Sequence, residues 1–379
     1  MTLPEDIVLS FPELEAALSI PIDVAIDEAS QKLGLPLLGG PSGKGWSYFS
    51  VAASCPWLWT RTYPPHGKGF ELTTPPAPLQ IGALYHSLMA MFYGYGLGGG
   101  EAFYHRRGLL APGLVEKLGK RGPKAKRDWV SLPPDGADKL LAELKAMAEK
   151  GLPNDLERSV DDSVIPEPRP SLSIILEAER LFDAHTGFYG SGEEDLEPLA
   201  IEWFAEHPLL GYTCRYDAIM RLGPNDPFVR EGQLDAGGVV IIERKSAKWL
   251  NEWAKEGWFL DGEILGQLLL WEPSGCAKLF GPLAGLIVDI VTKEKSPKFE
   301  RILVPKNPVT TRIHEQNIRY QKAEMEWWRA TGVIPRRFVS CWKFGKKCAL
   351  YEECRSESAA EAADLPTLEN QPLAEEIEQ

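Results

Sequence analysis

The sequence predicts an α/β protein, because strand-like runs alternate with helical patterns and enough residues are apolar to bury a large core. Runs rich in β-branched and aromatic residues, flanked by turn-forming residues, predict strands at 213–222, 238–247, 283–292 and 299–305. Longer patterns of helical periodicity predict helices at 79–95, 136–150, 171–183, 251–272 and 310–331. The 379 residues are 44% hydrophobic and 25% charged, which suits one elaborated domain or two ordinary ones and excludes a wholly disordered chain.

Composition also indicates the compartment. No apolar run approaches the roughly 18–20 residues that a membrane helix needs. The N-terminal stretch MTLPEDIVLSFPELEAAL has no basic segment followed by an apolar one, so we expect no secretory signal. A soluble, cytoplasmic protein with no membrane partner is therefore expected. In that compartment the six cysteines serve as thiols or metal ligands rather than as disulfides.

The chain divides into predicted segments of different composition. Residues 1–45 are rich in Pro and Gly and predict an N-terminal extension, while 46–354 hold the main domain. Within that domain, 97–195 predicts a helical insertion. The last stretch, 355–379, is rich in Ala, Glu and Pro, which predicts a disordered acidic tail.

The net charge of −13 does not exclude a nucleic-acid partner, because basic residues can cluster locally. Acidic residues are concentrated in 1–33 and 355–379. Basic residues form two clusters, one of Lys117, Lys120, Arg121, Lys124, Lys126 and Arg127, and one of Arg336, Arg337, Lys343, Lys346 and Lys347. Each cluster predicts either a contact with a phosphate backbone or a solvated loop.

Asp217, Glu243 and Lys245 form the first candidate site. Side chains alternate along a strand, so Glu243 and Lys245 share one face and Arg244 points to the other. The preceding run VVII is typical of a strand covered on both sides, where a Glu and a Lys are costly to bury unless they pair or bind a metal. If the two strands pair, Asp217 and Glu243 converge, and two carboxylates suit Mg²⁺ or Mn²⁺. The alternative is an ion pair between Glu243 and Lys245 on an edge strand.

Two further polar residues stand in apolar surroundings. Gln267 lies in GEILGQLLLWE, where it either faces a site or is a structural amide. His86 lies in the apolar pattern ALYHSLMAMFY, where it is either a satisfied core histidine or a metal ligand, a role that histidine often fills.

The cysteines suggest a second site. Three of them, Cys341, Cys348 and Cys354, have the spacing C-x6-C-x5-C, and Cys55 stands alone far upstream. Three clustered thiols in an intracellular chain indicate a metal site that lacks one ligand, and four thiolates satisfy either an iron–sulfur cluster or a zinc ion. Such a site would tie the C-terminal segment to the N-terminal helix. The alternative is a set of unrelated free thiols.

The order of these residues resembles the RecB-like branch of the PD-(D/E)XK nuclease superfamily, specifically its iron–sulfur members. Those members include the AddB nuclease domain, CRISPR-associated adaptation exonucleases and phage recombination-type exonucleases. In chain order the matching set is Cys55, His86, Asp217, Glu243-x-Lys245, Gln267, Cys341, Cys348 and Cys354. The resemblance covers about 50–354, with 97–195 poorly matched. It implies a restriction-endonuclease-like fold, a mixed central sheet flanked by helices, with a cysteine cluster that joins the two ends of the domain.

The resemblance also implies a role for each residue. A divalent metal, Mg²⁺ or Mn²⁺, would be bound by His86, Asp217, Glu243 and the backbone carbonyl of Arg244. Lys245 would orient the attacking water or neutralise charge, and Gln267 would position the substrate or that lysine. A [4Fe–4S] cluster, or alternatively a zinc ion, would be held by Cys55, Cys341, Cys348 and Cys354.

The function that the resemblance implies is a metal-dependent DNA exonuclease, with metal-activated water as the nucleophile, in DNA recombination, repair or processing, phage-encoded members included. Its partners would be single-stranded DNA or DNA ends, and recombination or replication proteins. Four features depart from the family pattern: Trp271 replaces a tyrosine, the gap between Cys341 and Cys348 is longer, the loop between the strands of Asp217 and Glu243 is long, and Cys214 stands where a small residue is usual. The alternatives are a DNA-binding or scaffolding subunit with weak or partner-dependent nuclease activity, and a zinc-stapled structural protein.

Overall fold

The computed structural model describes residues 20–36, 44–63, 75–97, 101–115, 117, 129–150, 169–190, 194–337, 341–343, 346–348 and 350–356. The helices are α1 (Ile22–Leu33), α2 (Trp46–Ser54), α3 (Pro56–Thr62), α4 (Ala77–Gly96), α5 (Pro112–Val115), α6 (Gly136–Glu149), α7 (Leu172–Tyr189), α8 (Pro227–Arg230), α9 (Glu252–Gly257), α10 (Gly262–Leu270), α11 (Cys276–Phe280), α12 (Pro308–Thr331) and α13 (351–356). The strands are β1 (Glu101–His105), β2 (Gly108–Leu110), β3 (Trp129–Ser131), β4 (Leu196–Glu206), β5 (Thr213–Leu222), β6 (Val239–Ala247), β7 (Leu283–Thr292), β8 (Phe299–Pro305), β9 (Trp342–Lys343) and β10 (Lys346–Lys347).

The chain forms two compact units. The first contains Met1–Trp46 and Glu71–Arg319, and the second contains Ser47–Phe70 and Tyr320–Gln379. The main domain predicted over 46–354 is therefore divided between two units. Among the described helices, none is both long enough and apolar enough to cross a membrane.

The first unit is built on an eight-stranded sheet in the order β3-β1-β2-β4-β5-β6-β7-β8. The pair β6–β7 is parallel and the other pairs are antiparallel. A parallel pair needs a long crossover, which here contains α9, α10 and α11. The predicted α/β class is confirmed, and the sheet is mixed but mostly antiparallel.

Helices cover both faces of β6. Helices α1, α4, α6 and α7 share one apolar core with the sheet, in which Leu88, Leu144, Leu181 and Ile242 are buried. The next residue of β6, Glu243, instead contacts α10, because its side chain accepts a hydrogen bond from the side chain of Gln267. Because successive strand residues point to opposite faces, α10 lies on the face opposite the large core.

Residues 97–195 differ from the predicted helical insertion. They supply three strands at one edge of the main sheet as well as α6 and α7 of its core. These strands have only three to five residues each, too few for a clear two-residue period. The predicted N-terminal extension contains α1, whose first amide donates to the side chain of Gln80 over 3.0 Å. The basic cluster beyond Lys117 and the tail beyond Ser356 lie outside the described residues.

The predicted helix over 251–272 is divided into α9, a 3₁₀ turn over Trp258–Leu260 and α10. The division occurs at Asp261, whose side chain accepts hydrogen bonds from the amides of Glu263 and Ile264 and so caps α10. Such a cap satisfies amides that have no partner within a helix. The cap therefore decides where Glu263 and the residues after it point.

The second unit has a small core of its own. Cys55, Trp57, Leu350 and Cys354 are buried together, with Cys348 packed against them. The backbone amide of Trp57 donates to the carbonyl of Pro335 over 3.3 Å. Residues from both ends of the chain therefore build this core.

A buried polar network lies on the α4 and α7 side of the sheet. Arg301 contacts Asp289 at 3.2 Å and Glu194 at 2.6 Å. His185 shares a 2.8 Å hydrogen bond with the Tyr85 hydroxyl and lies 3.9 Å from Asp289. Burial lowers the pKa of His185 to about 4, and Asp289 opposes that shift only in part.

Acidification is expected to destabilise the first unit through His185. The unfolded chain takes up a proton near the ordinary pKa of 6.5, whereas the folded chain resists it down to about 4. The unfolded state then binds more protons between these pH values, so the free energy of unfolding falls as pH drops, by up to about 3 kcal/mol. Urea denaturation at several pH values across this range should show that the free energy of unfolding depends less steeply on pH in His185→Gln than in the wild type. Equal slopes would contradict the assignment.

Candidate active site

Three acidic residues lie in one row across β4, β5 and β6. The register that pairs Ile201 with Ala218 places Glu202 opposite Asp217. The β5–β6 ladder, whose last pair contains Ala218, places Glu243 opposite Asp217 on the other side. Side chains at directly opposite positions are within reach of one another. The sheet therefore brings together the predicted Asp217 and Glu243, and it adds Glu202.

Asp217 lies at the point where the pairing of β5 with β6 ends. Its Oδ2 accepts a 2.8 Å hydrogen bond from the backbone amide of Arg244 and lies 3.4 Å from Nδ1 of His86. The amide and carbonyl of a strand residue point to the same side of the strand, so the Arg244 carbonyl also faces β5. The structure thus places His86, Asp217 and the Arg244 backbone together.

Lys245 and Gln267 both hold Glu243. Lys245 Nζ lies 2.6 Å from Oε1 of Glu243 and 2.7 Å from Oε2 of Glu263. Gln267 Nε2 donates to Oε2 of Glu243 over 2.6 Å. Glu263 and Gln267 are four residues apart on α10, so they share one helix face. Sequence reasoning missed Glu263, which becomes visible only when α10 packs beside β6.

The electrostatics of the row favour a bound cation. Burial raises the pKa of both Glu202 and Glu243, and the charge of Asp217 raises each further. Burial opposes ionisation of Asp217 as well, but His86 and then Arg244 lower its pKa below the usual range. Burial opposes the charged form of Lys245, yet Glu243 and Glu263 outweigh it and raise its pKa.

Sequence reasoning missed Glu202. In the structure its side chain is buried, with 7% exposure. It lies in the run LAIEWFA, where an acid among apolar neighbours is the signal that could have found it. Among described residues other than glycine, Glu202 alone has a positive φ, 52°, which costs roughly 1–2 kcal/mol. Its carbonyl lies so close to Gly108 that a Cβ there would come within 2.4 Å. Backbone strain of this kind concentrates at functional sites.

Glu202 is expected to contribute to metal affinity. Glu202→Gln keeps the shape of the side chain but removes its charge from the row, so Mn²⁺ should bind about 10–100-fold more weakly, the cost typical of losing a group that supports a metal site. Titration calorimetry of the variant checks this. Glu206→Gln, at the exposed end of the same strand, is the matched control and should bind as the wild type does. Equal affinities for Mn²⁺ in both variants would contradict a role of Glu202 in metal binding.

The residues present fit a divalent metal by their chemistry. Three carboxylates match the preference of Mg²⁺ and Mn²⁺ for oxygen ligands, and the imidazole of His86 adds a nitrogen donor. Within the described part of the chain, however, no group of three or more His, Cys, Asp or Glu side chains is already arranged around a metal position. Both Glu243 oxygens are engaged by Lys245 and Gln267, so that carboxylate would have to exchange a contact on binding.

The four cysteines of the predicted second site lie in the second unit and close together. Cys348 donates its amide to the carbonyl of Cys341 over 2.8 Å, and Cys55, Cys348 and Cys354 share one apolar cluster. Burial raises the pKa of Cys341, and the thiols of Cys354, Cys348 and Cys55 raise it further. All four are free thiols. Thiols are the donors of an iron–sulfur cluster or of zinc, but no three of these described cysteines are already arranged around a metal position.

Comparisons with known proteins give little beyond this geometry. No model of a known protein family matches the chain, and no curated protein matches it. Among solved structures, the chain is similar to a protein named “Putative exonuclease” from Eubacterium rectale, at 10% identity and a TM-score of 0.37, over 100% of this chain and 96% of that one. This TM-score is too low to establish a shared fold, so the proposals below depend on the residues of this chain.

Proposed function

We propose that this protein is a divalent-metal-dependent deoxyribonuclease that degrades DNA from its ends. The observation that carries the proposal is the row Glu202–Asp217–Glu243 with Lys245 held beside it. Carboxylates that gather hard cations next to a fixed ammonium group suit hydrolysis of a phosphodiester. The order of His86, Asp217, Glu243 and Lys245 along the chain also resembles the PD-(D/E)XK nucleases of the RecB-like branch.

Each side chain has a role in this proposal. Asp217, Glu243, His86 and the Arg244 carbonyl would hold Mg²⁺ or Mn²⁺, with Glu202 beside them. When bound, such an ion polarises the phosphate and lowers the pKa of a bound water.

Lys245, kept charged by its two carboxylate neighbours, donates to the attacking water or stabilises the charge that develops on the phosphate. Gln267 orients Glu243. The Oε1 atom of Gln267 is buried and has no hydrogen-bond partner among the described residues, so it is free to accept a hydrogen bond from a water.

Exposed aromatic side chains beside the site support a DNA substrate. Trp249 is 55% exposed and Phe259 is 42% exposed, and both lie in the segment that joins Lys245 to Glu263. Aromatic faces of this kind stack on unpaired bases. The stretch 57–63 offers less, because Trp57 and Trp59 are buried.

We also propose that Cys55, Cys341, Cys348 and Cys354 hold a structural [4Fe–4S] cluster, with zinc as the alternative. A site of this kind would stabilise the second unit, since metal-binding free energy contributes directly to folding. It has no role in the hydrolytic step.

The decisive experiment is a nuclease assay on protein purified without oxygen. The substrates are end-labelled single-stranded DNA, linear duplex and closed circular duplex, with Mg²⁺, Mn²⁺ or EDTA. We expect loss of the linear substrates with either metal and no loss in EDTA, with circles spared. Cleavage of circles at the same rate would indicate an endonuclease. Absence of cleavage by folded, metal-loaded protein that still binds DNA would favour a DNA-binding subunit with partner-dependent activity.

A further inference from the structure

A cavity that contains none of the carboxylates of the row lies on the first unit. Its volume is about 550 Å³, and its lining includes Arg106, Arg107, Lys117, Lys278 and Trp203. None of the described residues that line it is acidic. This concentration of positive charge stands out in a chain whose net charge is −13.

The fold holds two of these cations in place through carbonyl groups. Arg107 Nη1 donates to the carbonyl of Ser274 over 3.4 Å, and Lys117 Nζ donates to the carbonyl of Leu279 over 3.1 Å. The Arg107 carbonyl accepts from the amide of Phe204 over 2.6 Å, which ties the β1–β2 turn to β4. Carbonyl contacts position a cation without cancelling its charge.

The four cations have no acidic partner within the described part of the chain. Arg106, Arg107, Lys117 and Lys278 form no ion pair with a described carboxylate, whereas cations elsewhere, such as Lys245, have one. Unpaired cations in a concave, low-dielectric pocket focus their field and attract anions. Arginine adds a planar fork of donors that matches phosphate oxygens.

The cavity and the candidate active site share strand β4. Its wall residue Trp203, which is 1% exposed and stacks against His105 at 5.6 Å, directly follows Glu202. The lining also includes residues of α11, which begins six residues after α10 ends, and α10 carries Gln267. Strand β4 and the connection from α10 to α11 therefore link the cavity to the carboxylate row along the chain.

We propose that this cavity binds a phosphate group of the DNA strand. The proposal rests on the proposed nuclease function and adds to it a substrate-positioning site. A cavity of this size is within the range of small-ligand pockets and accommodates a nucleotide unit rather than a lone ion. The phosphate belongs either to an internal phosphodiester or to a terminal phosphate, and the test distinguishes the two.

The test compares two double variants that remove equal charge. Arg106→Gln/Lys278→Gln removes two exposed cations of the cavity, and Arg230→Gln/Lys295→Gln removes two exposed cations elsewhere in the same unit. Anisotropy of labelled single-stranded DNA is measured in EDTA, so that no cleavage occurs, over a series of salt concentrations. We expect the cavity variant to reduce the slope of log affinity against log salt by about 1.4, roughly 0.7 per lost contact. The control should keep the wild-type slope.

Two further substrates identify the phosphate. If a 5′- or 3′-terminal phosphate strengthens binding to the wild type but not to the cavity variant, the site holds a strand end. If the cavity variant binds oligonucleotides with and without the terminal phosphate more weakly than the wild type by the same factor, the site holds an internal phosphodiester. Slopes and affinities of the cavity variant that match those of the control would overturn the proposal while leaving nuclease activity to be judged by cleavage. A wild type that neither binds nor cleaves DNA would contradict both the proposed function and this phosphate site.

Discussion

We expect Lys245→Ala to lower kcat for DNA cleavage by about 10²–10³-fold, the effect typical of removing a group that stabilises developing charge. Lys245 Nζ sits between Glu243 and Glu263 at 2.6 and 2.7 Å. Its removal leaves those carboxylates uncompensated, so Mn²⁺ should bind at least as tightly as in the wild type. Cleavage rates and titration calorimetry on the same preparation measure both effects.

Two companion variants make this prediction specific. Asp217→Asn should also abolish cleavage, but by the opposite route, because it removes a metal ligand and weakens Mn²⁺ binding. Lys295→Ala, on an exposed lysine of the same unit away from the site, is the control and should cleave normally. Cleavage that survives both Lys245→Ala and Asp217→Asn would place the activity elsewhere or in a contaminant.

The second large effect is expected at the cysteines. Cys354→Ser removes a thiol from the core of the second unit. If the four cysteines hold a metal, we expect loss of bound metal and destabilisation by more than about 4 kcal/mol, the range of a lost structural ligand. Metal analysis and visible absorption report the loss of metal, and calorimetry reports the loss of stability. A brown wild type that bleaches on oxidation indicates an iron–sulfur cluster, and a colourless wild type with bound zinc indicates the alternative.

The matched control for this prediction is Cys214→Ala, which removes a buried thiol of the first unit. It should leave the metal content unchanged. Wild-type metal content in Cys354→Ser and in Cys55→Ser would contradict a shared site, as would the absence of any metal from protein purified without oxygen.

The strands that carry the site were predictable from local pattern. The structure confirms 213–222, 283–292 and 299–305 at their predicted bounds, and β6 begins one residue later than predicted. Long apolar runs such as LIVDIV can be satisfied only inside a covered sheet. Strand β4 was not predicted, because Pro198 and alternating acids blur its pattern, and its partners on both sides decide its structure.

By itself, the sequence determined the α/β class, the strands that bear Asp217, Glu243 and Lys245, and the order of residues from which a nuclease is proposed. Only the tertiary structure decided that Glu202 stands opposite Asp217 and that α10 brings Glu263 to Lys245. It also decided that cations from the β1–β2 turn and from α11 line one cavity. The physical reason is range: periodicity and capping act within a few residues, whereas strand pairing and helix packing join residues far apart along the chain.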